Sequence, residues 1–170
     1  MTQADSRLER APDLLERAVE AVTALRSTGA TLSVAESCTG GWLGREITSV
    51  PGASACFWGG VIAYDNAAKL GMLSVSHSTL SEHGAVSRLA AEEMARGVAD
   101  LSGSTWALAI TGLAGPDGGT PGKPVGTVWI AVRGPISNSR TFVFAGNREE
   151  VRRQAVYEAL GLLVEALRGP

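Results

Sequence analysis

The chain has almost no cysteine or histidine. Its 170 residues hold two cysteines, Cys38 and Cys56, and two histidines, His77 and His83. Two cysteines build neither a disulfide framework nor a zinc site, and two histidines are too few for most metal centres, so chemistry without a metal or cofactor is expected. Long apolar runs are missing too. No window approaches the roughly 18 to 20 continuous apolar residues that cross a bilayer, and the start, Met1 to Ala11, is polar and lacks the apolar core of a secretory leader. The expectation is a cytoplasmic protein with no membrane partner. Charge of one sign is equally scarce. The formal net charge is −2 and no basic run exceeds Arg152-Arg153, which leaves no footprint for a nucleic-acid backbone.

What remains is an ordinary globular composition, 45% hydrophobic and 19% charged, in a length that suits one domain. Residues 1–11 read as a flexible lead-in and residues 12–168 as the folded domain. Pro12 sits where a first helical turn tolerates proline. Leu14, Leu15, Ala18, Val19, Val22 and Leu25 recur at helical spacing, and Gly29 closes that helix. Thr31 to Val34 reads as a short buried strand, Trp42 to Val50 as a helix, and Ala55 to Tyr64 as a strand after a Pro-Gly break. Asp65 and Asn66 can cap a short helix holding Lys69. Ser78 to His83 reads as a helical turn, and Ser87 to Gly103 as an amphipathic helix. Trp106 to Ile110 is a continuous apolar run, which marks a central strand. Two further strands, Gly126 to Val132 and Arg140 to Phe144, precede a last helix from Arg148 to about Leu167. These elements predict a single-domain α/β fold, a mixed sheet with helices on both faces.

Two glycine-rich loops leave the ends of core strands: Ala35-Glu36-Ser37-Cys38-Thr39-Gly40-Gly41 and Thr111-Gly112-Leu113-Ala114-Gly115-Pro116-Asp117-Gly118-Gly119. Hydroxyls, close-approach glycines and unpaired N–H groups at a helix start suit an anion. The crevice beyond the carboxyl ends of strands is where open α/β sheets bind ligands, so the site is expected there. Neither loop has P-loop or dinucleotide-fingerprint spacing.

These segments, with Tyr64-Asp65-Asn66-Ala67-Ala68-Lys69, His83-Gly84-Ala85-Val86-Ser87, Lys123-Pro124-Val125-Gly126-Thr127-Val128 and Gly146-Asn147-Arg148 to Arg152, occur in the same order as in the CinA C-terminal domain family. The chain resembles that family from about Leu14 to Leu167. The family contains the nicotinamide-nucleotide amidohydrolases, and many relatives carry the domain behind a molybdopterin-binding-like domain; this chain looks like the stand-alone form. The resemblance implies metal-independent hydrolysis of the carboxamide of nicotinamide mononucleotide to nicotinate mononucleotide and ammonia, in a homo-oligomer of pyridine nucleotide metabolism. By motif position it implies Ser54 as nucleophile with Tyr64 and Lys69 as partners. A Ser with a desolvated Lys or a Tyr is a known substitute for histidine-based activation. For the substrate the expected set is Ser37, Thr39, Gly40, Gly41, Asn66, Thr111, Gly112, Ala114, Gly115 and Arg148. Read from residue type alone, Ser54 is also a turn residue, Lys69 a solvated lysine, and Cys38 a rival nucleophile at a helix start. A catalytically silent nucleotide-binding module of the same fold is the alternative function.

Overall fold

A computed structural model describes residues 14–169, and Pro12 and the expected lead-in lie outside them. Within the described residues the order is α1 (Leu14–Thr28), β1 (Leu32–Glu36), α2 (Trp42–Thr48), β2 (Phe57–Ile62), α3 (Asn66–Leu73), α4 (His77–Glu82), α5 (Arg88–Ser102), β3 (Trp106–Gly112), β4 (Thr127–Arg133), β5 (Asn138–Val143) and α6 (Arg148–Arg168). A 3₁₀ turn at Ala53–Ala55 leads into β2.

The strands form one sheet in the order β2-β1-β3-β4-β5, parallel across β2, β1 and β3 and antiparallel from β3 to β5. All five residues of β1 are buried, as are the first six of β3, because both strands are covered on both faces. One face packs on α1, α2 and α6 through Leu25, Leu43, Ile47, Leu160 and Leu163; the other packs on α5 through Ala91, Met94 and Val98. Two such layers over one sheet give the α/β architecture the periodicity predicts.

Caps set the helix boundaries. Ser87 accepts the Ala90 N–H at the start of α5, and Gly103 ends it in the left-handed region at φ 67°. Asn147 starts α6 with a capping box, taking the Glu149 and Glu150 N–H groups while the Glu150 carboxylate takes its own. Gly97 lets α5 approach the end of α3, since a Cβ there would overlap the Leu73 carbonyl. That contact holds α3, and with it Lys69, against the sheet.

The chain leaves β1 for β2 on one side and later returns to place β3 on the other side. Strand order therefore reverses at β1, and the carboxyl ends of β1, β2 and β3 open onto one crevice.

Candidate active site

Ser37 follows directly on β1, and Lys69 lies one turn into α3. The chain brings them together: Lys69 Nζ donates to Ser37 Oγ at 3.0 Å, to the Ala63 carbonyl at 2.9 Å and to the Tyr64 carbonyl at 3.1 Å. Asp65 fixes the approach by capping α3 through the Ala67 N–H at 2.7 Å. Lys69 is 1% exposed and Ser37 7%. Burial pushes the Lys69 ammonium below its ordinary value, against the opposing pull of Asp65 and then of Cys38. A lysine with depressed pKa in hydrogen-bond contact with a serine hydroxyl can take that hydroxyl's proton.

A cavity of about 230 Å³ opens in front of this pair. Ser37, Cys38, Tyr64, Asn66 and Lys69 line it from the β1 and β2 ends, Thr111 to Gly115 and Asp117 from the end of β3 and the loop beyond it, Ala85 and Val86 from the segment before α5, and Arg148 from α6. Thr111, 1% exposed, spends its hydroxyl on the Ala85 carbonyl at 2.7 Å and so ties the β3 loop to the α5 approach. Gly112 is needed for closeness, since a Cβ there would come within 2.6 Å of Val128 Cγ2. Arg148 donates to the Gly115 carbonyl at 2.7 Å and to the Tyr64 hydroxyl at 2.8 Å. Tyr64 thus meets the site twice, through its carbonyl on Lys69 and its hydroxyl at the mouth.

Three expectations need correction. Ser54 is not near Lys69. It is exposed on the 3₁₀ turn at the amino end of β2, whereas Tyr64 and Lys69 follow its carboxyl end. Six extended residues separate those ends by roughly 20 Å, at about 3.3 Å per residue. The hydroxyl that Lys69 meets is that of Ser37, expected only as a substrate contact.

The first loop does not offer its amides to an anion. Glu36, 1% exposed, turns its carboxylate onto the start of α2, where it accepts the N–H groups of Gly41 at 3.1 Å, Leu43 at 3.0 Å and Gly44 at 2.8 Å. The chain's own anion fills the place a ligand anion was expected to take. Thr39 is fully buried, and Gly40 and Gly41 line a separate shallow cleft with Trp42, Arg45, Glu149 and Arg152. Of the expected substrate set, Ser37, Asn66, Thr111, Gly112, Ala114, Gly115 and Arg148 share the Lys69 cavity; Thr39, Gly40 and Gly41 do not.

Cys38 lines the cavity but is a poor rival to Ser37. Burial pushes its thiol up to about 11, despite the lowering pull of its own backbone N–H and of Arg152, so at neutral pH it is a thiol rather than a thiolate.

A buried serine–lysine pair at the carboxyl ends of parallel strands, with a guanidinium at the cavity mouth, sits in a five-stranded mixed sheet covered by helices, which defines the class as a single-domain α/β fold. The profile of the CinA C-terminal domain family matches residues 15–167, and the chain belongs to that family. It is 52% identical over 146 residues to the CinA-like protein of Synechococcus elongatus, an alignment covering 84% of this chain and 35% of that protein. A CinA-like protein of Anaeromyxobacter dehalogenans is 49% identical over 159 residues, covering 92% and 37%. The chain thus spans about a third of the length of these curated relatives. Among solved structures, a CinA superfamily protein from Klebsiella pneumoniae superposes with a TM-score of 0.89 at 37% identity, covering 92% of this chain and 98% of that one. The competence/damage-inducible protein of Agrobacterium tumefaciens gives 0.86 at 38% identity, covering 93% and 97%. Among the described residues no helix is long and apolar enough to cross a membrane.

Proposed function

We propose that this chain hydrolyses the carboxamide of nicotinamide mononucleotide, releasing ammonia and nicotinate mononucleotide, with Ser37 as the nucleophile and Lys69 as its base. The observation that carries this reading is the 3.0 Å approach of Lys69 Nζ to Ser37 Oγ, both residues lining the cavity. Neutral Lys69 takes the Ser37 proton as Oγ bonds to the carboxamide carbon. The resulting ammonium returns that proton to the amide nitrogen, the C–N bond breaks and ammonia leaves. Water then cleaves the acyl–Ser37 ester by the same proton path, and the free acid departs.

The shape of the cavity supports a mononucleotide. Its volume of about 230 Å³, open on one side, suits a pyridine ring with its carboxamide, which leaves the ribose phosphate at the mouth beside Arg148 and Asn66. The route needs no Lewis acid, and no three His, Cys, Asp or Glu side chains converge among the described residues.

The test is ammonia release from nicotinamide mononucleotide by the purified chain. Turnover lost in Ser37→Ala and in Lys69→Met, with free nicotinamide a poor substrate, supports the reading. Unchanged turnover in Ser37→Ala, or no ammonia from the wild-type chain, overturns it.

A further inference from the structure

The loop that carries Ser37 is gripped from two sides by opposite charges. From the strand, Glu36 holds the amides that open α2. From α6, Arg152 reaches the loop itself: Nε donates to the Cys38 carbonyl at 3.0 Å and Nη2 to the Thr39 carbonyl at 2.9 Å. The guanidinium also lies over the Trp42 ring, 5.3 Å from its centroid, which fixes its plane. Guanidinium forks are usually matched to a carboxylate or phosphate; this one is matched to two successive peptide carbonyls.

That match controls orientation. In a trans peptide the C=O and the following N–H point in opposite directions. Pulling the Cys38 and Thr39 carbonyls toward α6 therefore turns the Thr39 and Gly40 N–H groups away from it. The Gly40 N–H shows where they go, since it donates to the Ser37 carbonyl at 3.1 Å. Through that bond the Thr39–Gly40 peptide, whose carbonyl Arg152 holds, fixes the backbone of Ser37 itself. A nucleophile held in one attack geometry is what catalysis by orientation requires.

We infer that Arg152 is a positioning residue: its grip on the Cys38 and Thr39 carbonyls sets the peptide whose Gly40 N–H holds the Ser37 carbonyl, and so fixes Ser37 in its attack geometry against Lys69; this rests on the amide-hydrolysis reading above. Arg152 does not line the Ser37 cavity. Its effect belongs to the transition state and leaves ground-state binding to Arg148 and the β3 loop. A lysine at 152 would supply a point charge to one carbonyl at a time and lose the peptide-plane control that the fork gives.

The experiment compares wild type, Arg152→Lys and Arg152→Met in two assays. The first is steady-state hydrolysis of nicotinamide mononucleotide. The second is labelling of Ser37 by a fluorophosphonate, in which the Oγ–P bond forms, the P–F bond breaks, fluoride leaves and Lys69 takes the proton; it needs the same placement of Oγ against Lys69. Arg152→Met is expected to lower kcat about 100-fold, the cost of misplacing a nucleophile by about an ångström, with KM within about threefold, and to slow labelling by more than about tenfold. Arg152→Lys should fall between, and it carries the same comparison if the Met variant does not fold. A kcat within about threefold of wild type, a loss confined to KM, or an unchanged labelling rate overturns the inference. If wild type releases no ammonia, the substrate reading fails and labelling decides alone: slowing in the variants upholds the role of Arg152 and unchanged rates overturn it. A wild-type Ser37 that resists labelling overturns both.

Discussion

The Arg148 guanidinium reaches the Tyr64 hydroxyl at 2.8 Å, joining the start of α6 to the end of β2 at the mouth of the Ser37 cavity. Its Nη1 is spent on the Gly115 carbonyl, so the side chain is braced on both sides while staying exposed to an incoming anion. With Glu36 filling the start of α2, Arg148 is the guanidinium that lines this cavity. Arg148→Ala is expected to raise KM for the mononucleotide about tenfold, as loss of one charge-assisted contact at an exposed site does, with kcat changed little. Inorganic phosphate should compete with substrate in the wild-type chain and compete less in the variant. Equal inhibition by phosphate in both would place the anion elsewhere.

The proposed role of Lys69 as base carries a pH dependence. It requires the neutral amine, so kcat/KM is expected to rise with pH along a limb whose midpoint lies below the ordinary lysine value of 10.5. Stability follows the same sign. Below the folded pKa both states carry the proton; between that value and 10.5 the unfolded chain binds more, so stability rises with pH across that window. Lys69→Met removes this contribution, and the wild-type Tm should gain on the variant's as pH climbs through the window. A rate limb centred at or above 10.5 would mean that Lys69 is not the base.

The two candidate serines separate cleanly by mutation. Ser37→Ala is expected to lower kcat by several orders of magnitude while leaving mononucleotide affinity close to wild type in a binding assay. Ser54→Ala, at an exposed turn beyond the far end of β2, should leave kcat and KM within about twofold and Tm within about 2 °C. Loss of activity in Ser54→Ala with retention in Ser37→Ala would reverse the assignment.

The reason Ser54 misleads is instructive. Local patterning places elements well here: the spacing of Leu14, Ala18, Val22 and Leu25, the caps Asp65 and Ser87, and the stops Gly29 and Gly103 all act within a few residues of themselves. Family order likewise brings Lys69 and Tyr64 to the site. Choosing the hydroxyl that meets Lys69 depends on strand direction and register instead. Ser37 is 32 residues from Lys69 and Ser54 only 15, yet β2 runs parallel to β1, so residues following the two strands meet while the residue preceding β2 is carried away. Arg152 was hidden for a similar reason, since its partners are carbonyls 113 and 114 residues away and carbonyls carry no residue identity. A usable sign for Glu36 did exist: a carboxylate at the last residue of a short strand with no other charge, just before a glycine-opened helix, has few places to go except onto that helix's free amides.

Glu36 supplies the last prediction, which concerns stability. Its carboxylate pairs with three N–H groups in a place where water has little access, and Gly41, in the left-handed region at φ 97°, offers no side-chain cap of its own. Removing the carboxylate leaves those donors unpaired, at a cost of about 1 kcal/mol or more each where they stay buried. Glu36→Ala is therefore expected to destabilise the chain by about 3 kcal/mol, which for a domain of this size lowers Tm by roughly 6 to 12 °C. Glu36→Gln keeps one acceptor oxygen and gives up the other together with the charge, so it should fall about midway. Because the α2 start is continuous with the Ser37 loop, the Ala variant should also lose kcat below its melting temperature, whereas the Gln variant should keep more of it. Thermal unfolding and ammonia release measured on the same preparations check both statements, and a Glu36→Ala chain as stable as wild type would show that water or a rearranged loop satisfies those amides.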